Sequence, residues 1–329
     1  MVHTLRQVMV PESPSRRRFL ATAAAMPLAA ATASSSTAAP AASARAVPAS
    51  RAVAGAAGTG PPHTAKRAVL ISMLPPGPFA ERFATAKAAG FEAIEMQTLT
   101  DPAQVEEARA ASASTGVAIH AVMNAEHWRS PLSSADPAVV TRSVAGMETS
   151  LRNAKAWGAG VVLLVPAVVD PQTAYRDAWT RSHQVIKERI LPLAAELKVV
   201  VAVEEVWNRF LLSPLEMARY VDEFDSPWVK AYFDVGNVVL YGYPQDWIRT
   251  LGPRIVRVHL KDFSMDRGKG TFAWKNLGEG DVDWPAVRQA FADIGFTGYM
   301  TTELAAGDAA YIADVAARVA RWLTTSRPV

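Results

Sequence analysis

From residue 68 onward the chain repeats one pattern eight times: a short apolar, β-branched run followed by a longer amphipathic stretch. No other feature restricts its fold as tightly. The runs occupy 68–73, 93–96, 117–122, 161–165, 199–203, 229–233, 255–260 and 299–303. The helical stretches occupy 79–89, 102–114, 137–157, 174–197, 214–224, 244–251, 284–294 and 309–324. Runs that are apolar throughout fit strands covered on both faces, the condition of a parallel sheet flanked by helices. Asp101-Pro102, Asp136-Pro137 and Ser213-Pro214 each place a capping side chain before a proline at a first helical position. Gly90, Gly116, Gly158 and Gly295 stand where a helix ends and the chain turns toward the next strand. Eight such units in about 260 residues predict a single-domain (β/α)₈ TIM barrel, with an open doubly wound sheet as the runner-up. No G-x-G-x-x-G follows the first run and no G-x-x-x-x-G-K-[ST] occurs, so dinucleotide and P-loop binding have no local support.

The formal charge of +3 over 329 residues is unevenly spread. Residues 1–60 carry six arginines against one acid, Glu12, whereas the remainder holds 28 basic and 30 acidic residues, a net −2. A body of that charge removes the main support for a nucleic-acid partner. The basic head has its own explanation. Ser15-Arg16-Arg17-Arg18-Phe19-Leu20 precedes an alanine-rich, mildly apolar run over 21–33, which resembles a bacterial twin-arginine export signal. That run is too short, and too interrupted by Thr22 and Pro27, to serve as a stable membrane anchor. The expected organisation is a twin-arginine signal peptide over 1–45, a flexible linker over 46–66 and the barrel over 67–329, with export to the periplasm or beyond. The chain has no cysteine, so a metal site would draw on His, Asp, Glu and water alone.

Barrel chemistry collects where strands end and loops begin. The fifth run leads into Glu204-Glu205, the sixth closes on Asp234, the seventh holds His259 and continues through Lys261-Asp262, and the eighth closes on Glu303. Each has an ordinary reading alone: Asp234 as a loop cap, His259 as a hydrogen-bonded core histidine, the glutamates as partners of Lys261 or Arg209. Their comparable depth on four successive strands argues for a site. Carboxylates brought together repel unless a cation neutralises them, and this donor set suits a divalent metal cation: Mn²⁺, Mg²⁺, Co²⁺, Fe²⁺ or Zn²⁺. Strand alternation lets only one of Glu204 and Glu205 face the interior, and periodicity leaves both open.

The segments Glu205-Val206-Trp207-Asn208-Arg209-Phe210, Phe233-Asp234-Val235-Gly236-Asn237, Val258-His259-Leu260-Lys261-Asp262, Gly278-Glu279-Gly280-Asp281-Val282-Asp283-Trp284 and Thr302-Glu303-Leu304 resemble the xylose isomerase-like superfamily. Within it they are most similar to the sugar phosphate isomerase/epimerase group that contains D-tagatose 3-epimerase and hydroxypyruvate isomerase. The resemblance spans 68–325. In that group an E-V-x-N-R-F stretch supplies its glutamate to a metal, which implies Glu205 as a ligand, with Asp234, His259 and Glu303 completing the set. It also implies a mechanism in which the metal chelates a substrate carbonyl and the adjacent hydroxyl and stabilises an enediolate. Glu205 and Glu303 would then move the proton between the two faces of the sugar. His120, Asn124, His127, Asn237 and Lys261 are the expected substrate contacts, with Glu95 and Trp128 beside them. The group's epimerases place a His where this chain has Asn237, and an Arg for which only Arg267 stands near, at another spacing. These departures leave the sugar open.

The implied activity is that of a metal-dependent sugar isomerase or epimerase acting on a ketose or related hydroxy-carbonyl. A lyase or hydrolase cleaving a 3-keto-glycoside through the same site is the alternative. A phosphodiesterase similar to endonuclease IV would need more histidines than His63, His120, His127, His183 and His259. A carbohydrate-binding barrel without catalysis is the non-enzymatic reading. The expected partners are a small-molecule carbohydrate and, as an open option, further copies of the chain in a homo-oligomer.

Overall fold

The structure, a computed structural model, describes residues 64–266 and 268–324. The expected signal peptide and nearly all of the linker lie outside the described residues, as does Arg267. Among the described residues there are ten strands: β1 (Lys66–Leu70), β2 (Ala93–Gln97), β3 (Ala118–Met123), β4 (Val161–Leu164), β5 (Val200–Glu204), β6 (Val229–Asp234), β7 (Ile255–Leu260), β8 (Asp262–Asp266), β9 (Thr271–Lys275) and β10 (Tyr299–Thr302). The helices are α1 (Phe79–Ala89), α2 (Pro102–Thr115), α3 (Pro137–Trp157), α4 (Tyr175–Val185), α5 (Leu191–Leu197), α6 (Pro214–Asp222), α7 (Pro244–Leu251), α8 (Trp284–Asp293) and α9 (Ala309–Thr324). Eight parallel strands close into a barrel in the order β1-β10-β7-β6-β5-β4-β3-β2, and β8 and β9 form a separate antiparallel pair. The chain is thus the single-domain (β/α)₈ barrel that the eightfold alternation predicts.

Asp101, Asp136 and Ser213 cap their helices as expected, accepting from the backbone N–H of Ala103, Ala138 and Glu216 at 2.9, 2.8 and 3.2 Å. The stretch 174–197, expected as one helix, is broken instead. A π turn over Ile186–Ile190 separates α4 from α5. Pro192 accounts for it, since proline has no N–H to donate and its ring crowds the preceding turn.

Alternation along the strands sorts side chains into two layers. Val201, Val203, Ala231, Phe233, Val258, Leu260 and Met300 pack between sheet and helices. Ala121, Leu163, Ala202, Val206 and Tyr232 fill the barrel interior, with Val200 and Val256 against them. Two bulges shift this phase. Ile94 pairs with Ile119 but Glu95 with Ala121, leaving His120 as the extra residue, and Ala231 pairs with Ile255 but Tyr232 with Arg257, leaving Val256 over. Each bulge re-aims the residues beyond it, and Asp234 and Thr301 both come into register with His259.

The β8–β9 hairpin interrupts the βα pattern after β7, and no run predicted it. Asp262, fully buried, ties down its base. Its carboxylate accepts from the backbone N–H of Phe263 (2.9 Å), Gly278 (2.8 Å) and Val282 (3.4 Å) and from Trp284 Nε1 (2.9 Å). Gly280 lies so close that a Cβ there would overlap the carboxylate. The Gly278 to Trp284 loop is therefore wrapped around one aspartate. Asp262→Ala strands several buried donors, and urea denaturation is expected to register a loss of about 3 kcal/mol.

Candidate active site

Glu204, Asp234, His259 and Glu303 converge where β5, β6, β7 and β10 end, each offering one ligand atom within 4.8 Å of the others. His259 Nδ1 lies 2.7 Å from Glu204 Oε1, 2.7 Å from Glu303 Oε2 and 3.8 Å from Asp234 Oδ2. Asp234 is both loop cap and site residue. Its Oδ1 accepts from the N–H of Gly236 (2.8 Å) and Asn237 (3.0 Å), leaving Oδ2 to face the cluster. Lys261 Nζ sits 2.8 Å from Asp234 Oδ2 and 2.9 Å from Glu303 Oε2. These are ion-pair distances, yet neither oxygen has a partner with hydrogen-bond geometry.

Burial and charge act in opposition here. Burial pushes Glu204 up to about 7 against the pull of His259. Burial also acts to raise Glu303, but Lys261 and His259 outweigh it and hold that carboxyl below the usual range. Lys261 is depressed by burial and raised well above its ordinary value by Asp234, Glu303 and Glu204, which prevail. The two glutamates therefore differ in proton affinity although they share a cluster.

The structure corrects one expected ligand. Glu205, implied by the E-V-x-N-R-F resemblance, shares the outward phase of Val201 and Val203, and Glu204 takes the inward place. The Glu205 carboxylate accepts from the backbone N–H of Asp234 at 2.8 Å, with Oε2 buried and unpartnered. Burial, followed by Asp234 and Glu204, raises it well above the usual range. It sits behind the cluster, not in it.

A cavity of about 200 Å³ opens above the cluster, lined by Met123, His127, Trp128, Glu204, Val206, Trp207, Asn237, Lys261, Trp274 and Glu303. Three expected substrate contacts, His127, Asn237 and Lys261, are thus at the cavity. Two are not. Asn124 turns back to cap its own loop, its Oδ1 accepting from Glu126 N at 3.1 Å. His120, the bulge residue, lies within the barrel, stacked on Tyr299.

His120 belongs to a hydrogen-bonded column whose direction can be worked out. Arg257 Nε donates to His120 Nδ1 at 3.0 Å, and arginine only donates. Burial and Arg257 keep the imidazole neutral, so its one proton is on Nε2 and is donated to Thr301 Oγ1 at 2.9 Å. Thr301 Oγ1 lies 3.2 Å from Tyr232 OH, which donates to Glu95 Oε2. Glu95 then accepts from His259 Nε2 at 2.9 Å. With Nε2 committed as a donor to Glu95, His259 presents Nδ1 to the cluster. Sequence patterning does not reach this column, because Glu95 and His120 sit within apolar runs and the bulge that turns His120 inward beside Ala121 leaves no trace in the pattern.

A family model described as xylose isomerase-like TIM barrel matches residues 83–325. The chain belongs to that family. It is 30% identical over 240 residues to a protein of Escherichia coli K12 provisionally named L-ribulose-5-phosphate 3-epimerase, SgbU, covering 68% of this chain and 82% of the relative. It is 27% identical over 235 residues to the L-ribulose-5-phosphate 3-epimerase UlaE of Salmonella paratyphi A, covering 68% and 81%. Among solved structures, an L-ribulose 3-epimerase superposes with a TM-score of 0.67 at 20% identity, covering 80% of this chain and 96% of the other. The D-allulose 3-epimerase of Methylomonas sp., solved with D-allulose, gives 0.62 at 20% identity, covering 75% and 86%. The relatives at the level of sequence are sugar 3-epimerases, and the structural likeness restates the barrel.

The geometry separates the roles of three glutamates. Titration calorimetry with Mn²⁺ is expected to find binding abolished in Glu204→Gln, weakened about 10- to 100-fold in Glu95→Gln through loss of His259 positioning, and changed less than about threefold in Glu205→Gln, whose amide oxygen still accepts from Asp234 N–H.

Proposed function

We propose that this protein is a divalent-metal-dependent sugar isomerase of the epimerase type, acting on a ketose or a related hydroxy-carbonyl compound. The observation that carries this reading is the convergence of three carboxylates and one imidazole at the floor of an open cavity, with Glu204 and Glu303 lining it. The sugar 3-epimerases among its relatives support the substrate class.

The residues fit a divalent cation. Asp234 Oδ2 and Glu303 Oε2 are buried oxygens without a hydrogen bond, His259 Nδ1 is aimed at the same space, and three oxygens with one nitrogen form a donor set for Mn²⁺, Mg²⁺, Co²⁺, Fe²⁺ or Zn²⁺. Glu204, Asp234, His259 and Glu303 would hold it. Bound there, such an ion polarises a carbonyl and its neighbouring hydroxyl, so that the C–H between them becomes acidic. The chain's own carboxylates handle the proton. Glu204 and Glu303 come from staves separated by β6 and β7, so they approach a bound sugar from different sides. Lys261, 2.9 Å from Glu303, keeps that carboxylate ionised and ready to accept a proton, whereas Glu204 holds one more readily. One removes and the other returns, which inverts the carbon between them. His127 and Asn237 are placed for sugar hydroxyls.

In D₂O, deuterium is expected to enter a ketose at the carbon beside its carbonyl. Glu204→Gln and Glu303→Gln should each reduce that exchange by about 10³-fold or more while the far-UV circular dichroism stays that of the parent. Chelation should abolish exchange, and Mn²⁺ or Co²⁺ should restore it. Near-parental exchange in both variants would sink the reading.

We also propose that the chain is exported by the twin-arginine route, on the strength of Arg16, Arg17 and the apolar run over 21–33. Cell fractionation checks this: exchange of Arg16 and Arg17 for lysine is expected to shift the protein from the exported to the cytoplasmic fraction.

A further inference from the structure

The cavity lining has two unlike parts. Glu204, Glu303 and Lys261 are its charged members, and Trp128, Trp207 and Trp274 with Val206 and Met123 are its apolar ones. Lys261 is the sole lysine or arginine among the lining residues, and its ammonium is already shared between Asp234 and Glu303. His127 carries no charge by geometry: Val165 N–H donates to its Nδ1, so that nitrogen bears no proton. Arg129 and Arg209, both exposed, are not part of the lining.

The aromatic wall is built, not incidental. Trp207 stacks on Trp274 at 4.9 Å and an interplanar angle of 18°, and meets Phe263 and Phe272 edge-on at 5.0 and 5.4 Å. Trp207 Nε1 is fixed to Asn237 O at 2.9 Å. Gly236 makes room, since a Cβ there would lie 2.6 Å from Lys261 Cβ and 3.1 Å from the Trp274 ring. Although packed, Trp274 remains 46% exposed, Phe272 58% and Trp128 57%. Large apolar rings left open beside a polar floor are the arrangement of a pocket that takes a ligand with a polar edge and an apolar face.

We propose that the site selects an uncharged sugar over its phosphate ester, and that Trp274, carried on the β8–β9 hairpin, is a specificity-determining residue that contacts the sugar's C–H face. The proposal rests on the epimerase reading of the floor. Among the described residues the one lysine or arginine lining the cavity is Lys261, already paired with Asp234 and Glu303, so a phosphate dianion lodged against this wall would be stripped of water without a free cation to receive it and would face Glu204 and Glu303. A neutral sugar offers hydroxyls to His127, Asn237 and the floor, and its C–H face to the rings. The chain therefore differs in substrate class from relatives named for L-ribulose 5-phosphate.

The test pairs each sugar with its ester: L-ribulose with L-ribulose 5-phosphate, and D-fructose with D-fructose 6-phosphate. Deuterium exchange from D₂O is measured with the metal-loaded protein, and binding is measured by tryptophan fluorescence and calorimetry with Glu303→Gln. Free sugars are expected to exceed their esters in kcat/KM by about 100-fold or more, as like charges and an unpaired anion together imply. Trp274→Ala should raise KM for the free sugar roughly tenfold with kcat nearly unchanged. A preference for the esters, or equal use of both, overturns the proposal and leaves the epimerase reading intact. Unchanged KM in Trp274→Ala overturns the role of the hairpin. Exchange with no member of the panel overturns the epimerase reading, and binding then decides the selectivity: esters bound as tightly as sugars would refute it.

Discussion

Three carboxylates meet within a few ångströms at the floor of a cavity, and the rest of the barrel is arranged around that crowding. Burial favours the neutral acid at Glu204 and at Glu303, and each carboxylate repels its neighbours. Two nitrogen-bearing side chains oppose this. Lys261 bridges Asp234 and Glu303, and His259 stands against Glu204 and Glu303. Pairing is incomplete, because buried oxygens of Asp234, Glu205 and Glu303 lack hydrogen bonds. A cluster left partly unsatisfied in this way is a poor device for stability and a suitable one for receiving a cation.

Holding such a cluster requires a scaffold that does not yield. One side of the barrel interior is apolar, filled by Ala121, Val161, Leu163, Val165 and Ala202. The other side carries the column from Arg257 through His120, Thr301, Tyr232 and Glu95 to His259. Donation runs from Arg257, which only donates, down to Tyr232, and the Glu95 carboxylate, which only accepts, receives from Tyr232 on one side and His259 Nε2 on the other. The apolar side sets the spacing of the staves, and the polar side sets which nitrogen of His259 meets the site. Two β-bulges make the polar side feasible by turning consecutive residues inward where strict alternation would bury only every second one.

This explains what the sequence disclosed and what it withheld. Burial of strands on both faces is a property of whole segments, so the eight runs and their helices stand in the pattern, with ends within three residues of those observed. Asp234, His259 and Glu303 were legible because each closes or nearly closes a run. Glu204 and Glu205 were not separable by the motif, which rests on neighbouring residue types. Small Ala202, however, marks the inward phase of β5, and Glu204 follows it by two. His120 and Asn124 were expected at the cavity as polar residues of the third run and the loop after it, but a bulge turns one inward and a loop cap takes the other. The hairpin escaped notice because β9 is exposed along its whole length and carries no apolar run.

Floor and wall are not independent parts. The floor is fixed by strand register and the wall is carried on the segments after β3, β5 and β7, an arrangement that ordinarily lets loops vary while the barrel stays constant. Here Lys261 belongs to both: its ammonium holds Asp234 and Glu303, and also lies 5.4 Å from the Trp274 ring centroid. Asp262, the next residue, anchors the hairpin, and Gly236, two residues after Asp234, provides the gap in which Lys261 and Trp274 meet. A side chain at Gly236 would therefore displace a floor cation and a wall aromatic together. Variation in what this barrel binds is consequently constrained to the outer part of the hairpin and to Trp128, where rings can change without disturbing the carboxylates below.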